Sequence, residues 1–158
     1  MKRSAGILAY RKSGMICEVF LVHPGGPFWK NKDVNAWSIP KGEFTEEENP
    51  FDAAVREFTE ETGFTVAGSF SELEPVRQPG GKIVHVWAVE ADFNPALLKS
   101  NSFTLEWPPR SGKEIEVPEV DRAEWFSLPD AYDKIHKGQV PLLEQFERLI
   151  KTEEKGKI

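Results

Sequence analysis

A chain of 158 residues with hydrophobic residues at 39% and aromatics at 11% is sized for one domain that can bury a core without disulfide or metal staples. Its formal net charge of −6 and pI near 5.2 exclude a broad electrostatic footprint for duplex nucleic acid or an anionic membrane, so a phosphate-bearing ligand would need a local handle. A lone cysteine, Cys17, cannot close an internal disulfide, no apolar run approaches the ~18 residues of a membrane helix, and the stretch after Met1-Lys2-Arg3 is too short for a signal peptide. These features predict a cytoplasmic protein, monomeric or homodimeric, with one domain over residues 1–150 and a frayed polar tail over 151–158.

In chain order, residues 4–11 (Ser-Ala-Gly-Ile-Leu-Ala-Tyr-Arg) and 18–23 (Glu-Val-Phe-Leu-Val-His) read as two strands separated by the turn signal Lys12-Ser13-Gly14. Their near-continuous apolar content places them in a sheet interior, with Cys17 as strand core. Pro24-Gly25-Gly26-Pro27 breaks the chain. A polar loop with Phe28, Trp29, Lys30, Lys32 and Asp33 then runs to Trp37-Ser38-Ile39-Pro40-Lys41-Gly42, long enough to help shape a site. Asn49-Pro50-Phe51-Asp52 is a helix start, because Asn49 can cap, Pro50 suits the first helical position and Asp52 complements the dipole. Gly63 is the matching stop, which predicts a helix over 50–62. Residues 82–92 read as a central strand and 122–127 as another. Residues 140–151 read as an amphipathic helix with Leu142, Leu143, Phe146, Leu149 and Ile150 on one side. That order argues a layered α/β or α+β domain.

The 50–62 helix carries the chemistry. With Glu57 at zero on a wheel of about 100° per residue, Phe51, Ala54, Val55, Phe58 and Thr62 fall between roughly 60° and 160°. Glu57, Glu60 and Glu61 fall between roughly −60° and 40°, and Ala53 near −40°, where a small side chain would leave room for something to approach. A solvated acidic face is the ordinary reading of such a cluster. Energetics weigh against it: two like charges ~4 Å apart at an effective dielectric of ~20 repel by ~4 kcal/mol, and a late helical position is the wrong end of the dipole for anions. A divalent cation reverses the sign of that argument, and carboxylate oxygens suit Mg²⁺, with Mn²⁺ as an alternative.

The flanks extend the pattern. Gly42, Glu48, Arg56-Glu57, Phe58, Glu60-Glu61, Gly63 and Phe64 fill every fixed position of G-x5-E-x7-R-E-U-x-E-E-x-G-U, where U is apolar, over 23 residues with nine specified. The segment resembles the Nudix box, and the chain is identified by it as similar to Nudix hydrolases. The resemblance implies an α/β/α sandwich around a mixed sheet. It also implies that Glu57, Glu60 and Glu61 hold divalent cations on a pyrophosphate, and that Arg56 pairs with Glu48 or Glu57 to fix the loop against the helix. Gly42 and Gly63 serve as backbone residues. The family often adds one more carboxylate from a later loop facing the helix. Glu119, six residues before Trp125, is the choice here, with Glu116 as competitor.

The function implied is metal-dependent hydrolysis of the pyrophosphate linkage in a nucleoside diphosphate joined to another group. Lys41 before the box glycine resembles the Pro-Lys-Gly form of diadenosine-polyphosphate and diphosphoinositol hydrolases, which favours nucleoside or dinucleoside polyphosphates. ADP-ribose or nucleotide sugars are the alternative, on the spacing of Pro79 from the box. Phe28, Trp29 and Trp107 lie in loop-like segments and are candidates for stacking a base, and Arg110 and Lys113 for reaching a distal phosphate. His23 and His85, on strands, read as structural. A non-catalytic nucleotide-binding domain is the rival from another class, but such domains show gaps among the acidic positions. An RNA 5′-end hydrolase is disfavoured by the acidic balance.

Overall fold

The apolar runs of the first two strands, Ala-Gly-Ile-Leu-Ala-Tyr over 5–10 and Val-Phe-Leu-Val over 19–22, can be satisfied only if both sheet faces are covered, and the computed structural model, which describes residues 2–155, shows that arrangement. The elements run β1 (Arg3–Ser13), β2 (Ile16–Pro24), β3 (Lys41–Phe44), α1 (Pro50–Thr62), β4 (Phe70–Glu72), β5 (Val76–Arg77), β6 (Ile83–Glu90), β7 (Ser102–Glu106), β8 (Glu114–Pro118), β9 (Val120–Ser127), α2 (Leu128–Lys134) and α3 (Val140–Lys155). The seven-stranded mixed sheet has the order β4-β6-β1-β2-β9, with β3 pairing β1 and β5 pairing β6. Its β1–β6 pair is parallel and its other pairs are antiparallel.

One face packs Ala5, Ile7, Phe20 and Val22 against Ala54 and Phe58 of α1. The other packs Leu8, Leu21, Val84 and Val86 against Ile135, Leu142, Leu143 and Phe146 at α2 and α3. The expected α/β/α sandwich is what the chain forms. No helix among the described residues is long and apolar enough to cross a membrane.

One topological detail positions everything that follows. β1 gives its C-terminal end to β2, pairing Tyr10 with Val19 through Ser13 with Ile16, and its N-terminal end to β3, pairing Arg3 with Phe44 through Gly6 with Lys41. Beyond Val19, β2 therefore diverges from β1 and follows β9. The wedge between them is plugged by the segment before β3. Val22 and Ser38 exchange backbone hydrogen bonds of 2.8 and 3.0 Å, and the amide of Ile7 donates to the carbonyl of Pro40 at 3.2 Å.

Several expectations are refined. β1 and β2 are longer than 4–11 and 18–23, and the turn is Gly14-Met15 rather than Lys12-Ser13-Gly14. α3 runs to Lys155, so residues 151–155 of the expected frayed tail are helical, and 156–158 lie outside the described residues. Polar side chains there bond along the helix: Lys151 donates to Glu147, and the Thr152 hydroxyl to the carbonyl of Arg148. Ala53, placed on an open acidic face, is completely buried in the α1-side core. Its face of the helix packs against the sheet instead of leaving an approach. The β7–β8 ribbon carries little signal in the sequence, since each of its strands has only about two apolar residues and most of it is exposed.

The ends of α1 form as the sequence reads. Asn49 Oδ1 accepts from the amides of Phe51 and Asp52, and Gly63 adopts φ 79° while its amide donates to the Thr59 carbonyl at 2.8 Å. A Cβ at position 63 would also come within 2.8 Å of the Lys99 carbonyl oxygen. Gly63→Ala should therefore destabilise the fold by more than the ~1 kcal/mol of a left-handed alanine alone, read as a lower midpoint in urea unfolding. An unchanged midpoint would contradict this account of the helix stop.

Candidate active site

The acidic face of α1 is half-buried against β3, with Glu60 at its more exposed edge. Glu57 keeps 12% of its side-chain surface exposed, and its carboxylate lies against Gly42 so closely that a Cβ there would fall 2.0 Å from the carboxyl carbon. One turn on, Glu61 Oε1 accepts the backbone amide of Lys41 at 3.2 Å. Protein surrounds the Glu61 carboxyl, and that desolvation is the main reason its pKa is raised to about 8, against the lowering effect of the Lys41 amide and ammonium. Glu57 is also raised by burial, in spite of its pairing with Arg56.

Arg56 organises the rest. Its Nε and Nη2 meet the two oxygens of Glu48 at 2.8 and 2.9 Å, and Nη1 donates to Glu57 at 2.8 Å and to Glu60 at 3.1 Å. The sequence offered Glu48 or Glu57 as its partner, and the guanidinium takes both together with Glu60. The planar fork allows this bridging, which a lysine point charge cannot reproduce. Glu48 is held below its ordinary range by the Arg56 hydrogen bonds.

Glu119 occupies the single residue between β8 and β9. It lines a cavity of about 190 Å³ together with Glu61, Lys41, Ser38, Pro24 and Val120, at the mouth of the β1–β2 wedge. Burial and then the charge of Glu60 raise its pKa, and no side-chain hydrogen bond reaches its carboxylate among the described residues. Glu116 instead lies exposed on the β7–β8 ribbon, so the two competing glutamates are separated by the fold.

Lys41 has its ammonium pushed below the usual lysine range, first by burial and then by Lys82, which itself pairs with Glu43 at 3.2 Å. This pair was not read from the sequence, because only the β3–β1–β6 alignment brings residues 43 and 82 together. Ser38, likewise unread as a site residue, enters the cavity through the wedge-plugging bridge to Val22. Phe28 is 57% exposed with the Lys32 ammonium 3.6 Å above its ring, while Trp29 packs partly into the core. Both sit on the loop whose Gly25 amide donates to the Glu119 carbonyl at 3.0 Å. Arg110 is not gathered with the carboxylates. It lies in the exposed turn joining β7 to β8, with φ 62° and its amide held by Glu106. Larger hollows near Trp125 and near Tyr132 gather no comparable set of carboxylates.

Among the described residues no three His, Cys, Asp or Glu side chains are gathered tightly enough to enclose a cation. The side-chain geometry gives the reason: Arg56 occupies oxygens of Glu57 and Glu60, and the Lys41 amide occupies Glu61. The donor set nevertheless fits a hard divalent ion, being all carboxylate oxygen, with Glu61 desolvated and Glu119 without a hydrogen-bonding partner for its side chain.

A family model described as NUDIX domain matches residues 1–146. Among curated proteins, the m7GpppN-mRNA hydrolase dcap-2 of Caenorhabditis elegans is 34% identical over 94 residues, which is 60% of this chain and 10% of that protein. The chain thus spans about a tenth of the length of this relative. Among solved structures, a C. elegans Ap4A hydrolase binary complex superposes with a TM-score of 0.66 at 22% identity, covering 96% of this chain and 99% of the other. The NUDIX domain of Shewanella oneidensis NrtR complexed with ADP ribose gives 0.64 at 17% identity, covering 94% and 87%. At these identities the structural likeness establishes the fold.

The raised Glu61 pKa gives a stability prediction for metal-free protein. A carboxyl group whose folded pKa lies above its unfolded value contributes stability that is fully present below the unfolded pKa, near 4.5, and is lost as pH rises through about 8. Glu61→Gln keeps the acceptor for the Lys41 amide and removes the titration. With chelator present, the parent Tm should therefore fall relative to Glu61→Gln between pH 5 and 8.5. Allowing for solvent screening, the difference should be at least ~2–4 °C, equivalent to about 1 kcal/mol in a domain of this size. Parallel pH profiles for the two proteins would refute the assignment.

Proposed function

The chain belongs to the NUDIX domain family, and from that premise we propose that it is a divalent-cation-dependent hydrolase of the pyrophosphate linkage in a nucleoside diphosphate joined to another group. Nucleoside and dinucleoside polyphosphates are the first choice of substrate. The observation that carries this reading is that Glu61 of α1 and Glu119 of the β8–β9 joint line one cavity with Lys41, while Glu57 lies against Gly42 one turn earlier on the same helix and Glu60 joins it through Arg56. Complete acidic positions in the box argue against a domain that only binds nucleotide.

Glu57, Glu60, Glu61 and Glu119 would hold Mg²⁺ or Mn²⁺. When bound, such an ion neutralises charge on the phosphoryl oxygens and lowers the pKa of water. The chain's own residues supply the remainder. Lys41 places a positive charge beside Glu61, where a phosphate of the chain would lie. Arg56 keeps Glu57 and Glu60 aimed along α1. Glu119, which Arg56 does not bond and whose pKa is raised, is the carboxylate assigned to accept the proton of the attacking water. Phe28 and Trp29 are assigned to the nucleobase. The Pro-Lys-Gly form at Lys41 favours a polyphosphate chain, in keeping with the likeness to an Ap4A hydrolase. ADP-ribose is the second reading, favoured by the complexed NrtR domain among the structural neighbours. A panel of nucleoside triphosphates, dinucleoside polyphosphates, ADP-ribose and nucleotide sugars with Mg²⁺ separates the two.

Two outcomes are expected. Prolonged chelation should abolish turnover, and Mg²⁺ or Mn²⁺ should restore it, so full activity in metal-free protein would sink the proposal. Glu61→Gln should lower kcat by at least ~100-fold, and Glu119→Gln should lower it substantially while Glu116→Gln leaves it near the parent value. The reverse ranking of the last two would show that the fourth carboxylate has been misplaced.

A further inference from the structure

His23 is a buried ring that the reaction above does not use. It closes β2 at the mouth of the wedge with no exposed surface. Its Nδ1 lies 2.9 Å from Asp121 Oδ1, its Nε2 lies 2.6 Å from the carbonyl oxygen of Lys32, and its face meets Trp37 edge-on at 5.2 Å. Since a carbonyl only accepts, Nε2 carries the hydrogen of that bond. Both nitrogens are thus committed, one to β9 and one to the loop after β2.

The β9 contact falls on an irregularity. The β2–β9 ladder pairs His23 with Arg122 and then Pro24 with Val120, leaving Asp121 as an extra residue. This is a β-bulge, a feature that re-aims neighbouring side chains. Its effect is visible in the packing. Ala123 and Val120 both lie in the α1-side core although they are three residues apart, which regular alternation would place on opposite faces. Arg122 stacks over Trp37 on the other side of the sheet, and Asp121 serves His23 on that side too. The bulge thereby sets where Val120 enters the strand, and with it the backbone of Glu119, whose carbonyl accepts the Gly25 amide at 3.0 Å and whose amide donates to the Asn101 carbonyl at 2.8 Å, beside the cavity it shares with Glu61. At its other end the ring holds Lys32, whose ammonium lies over Phe28.

We propose that His23 is a positioning residue for the hydrolytic site, its Nδ1 fixing the bulge that aims Glu119 and its Nε2 fixing the loop that presents Phe28 and Trp29. The inference rests on the reading that Glu119 serves the reaction. Asparagine and glutamine divide the two functions, because an Asn amide reaches the place of Nδ1 and a Gln amide that of Nε2.

The test uses Mn²⁺ affinity of the chelator-treated protein, measured by EPR titration, alongside kcat and KM for Ap4A, ATP and ADP-ribose. His23→Gln should weaken Mn²⁺ binding by about 10-fold, as losses around metal ligands do, and lower kcat with little change in KM. Glu119→Gln should do the same, and the double variant should be no worse than Glu119→Gln alone. His23→Asn should keep Mn²⁺ affinity and kcat and raise KM. Should His23 variants fail to fold, Asp121→Ala, which cuts the same bond from the more exposed side, should reproduce the His23→Gln pattern. If His23→Gln and Asp121→Ala match the parent in Mn²⁺ affinity and kcat while Glu119→Gln is impaired, the positioning role is overturned and the proposed function stands. If Glu119→Gln itself binds Mn²⁺ and turns over normally, the reading of Glu119 falls and the role of His23 falls with it.

Discussion

The close approach of α1 to β3 at Gly42 is the constraint on which the site depends. With no Cβ at that position, the Glu57 carboxylate rests on the strand backbone, and the helix comes near enough for Glu61 to take the Lys41 amide. A methyl group there would collide with the Glu57 carboxylate, the far end of a flexible side chain, and would turn that carboxylate out of its place against the strand. The geometry also accounts for Ala53. Its small side chain lies a turn before Glu57 in the α1-side core, where bulk would hold the helix off the sheet.

That approach is useful only because the sheet opens beside it. A strand such as β1, flanked throughout by β2, would leave no cavity at its N-terminal end. Dividing its edge between β2 and the short β3 creates a wedge, and the Ser38–Val22 bridge closes the backbone hydrogen bonds of the plug without filling the space in front of Glu61. The β8–β9 joint then delivers Glu119 from the far side of β2. The carboxylates thus come from two segments nearly sixty residues apart in sequence, on elements whose relative positions are fixed by the hydrophobic layers above and below.

The limits of the sequence follow from range. Signals that act within one or two turns were readable: the Asn49 cap, the Pro50 start, the Gly63 stop and the three glutamates of α1 all appear where local chemistry places them. The layered fold followed from near-continuous apolar strands and one amphipathic helix. What was not legible depends on pairing between distant segments. The burial of Ala53 needs β3, the Lys82–Glu43 pair needs the alignment of three strands, and the bulge at Asp121 needs the β2–β9 register. The wheel also misled by treating the acidic face as open. A helix packed between a sheet and a strand edge buries two faces, and periodicity alone recognises only the apolar one.

The Arg56 network shows why such a face can be tolerated. Among the described residues, Arg56 pairs with Glu48, Glu57 and Glu60, Lys41 faces Glu61 and Glu57, and Glu119 has no cation partner. Arg56 is partly exposed, so its bridges are screened and add little net stability. Its effect is on direction: a guanidinium fixed on Glu48 in bidentate fashion holds Glu57 and Glu60 in one orientation and limits their mutual repulsion. Glu61 and Glu119 receive no such bridge, and their pKa values are raised first by burial and then by neighbouring carboxylates. The protein therefore stabilises the outer part of the cluster with its own arginine and leaves the inner part, beside Lys41 and the cavity, short of positive charge. Under the function proposed above, a divalent cation held there would supply that positive charge and in turn attract the phosphates of a substrate.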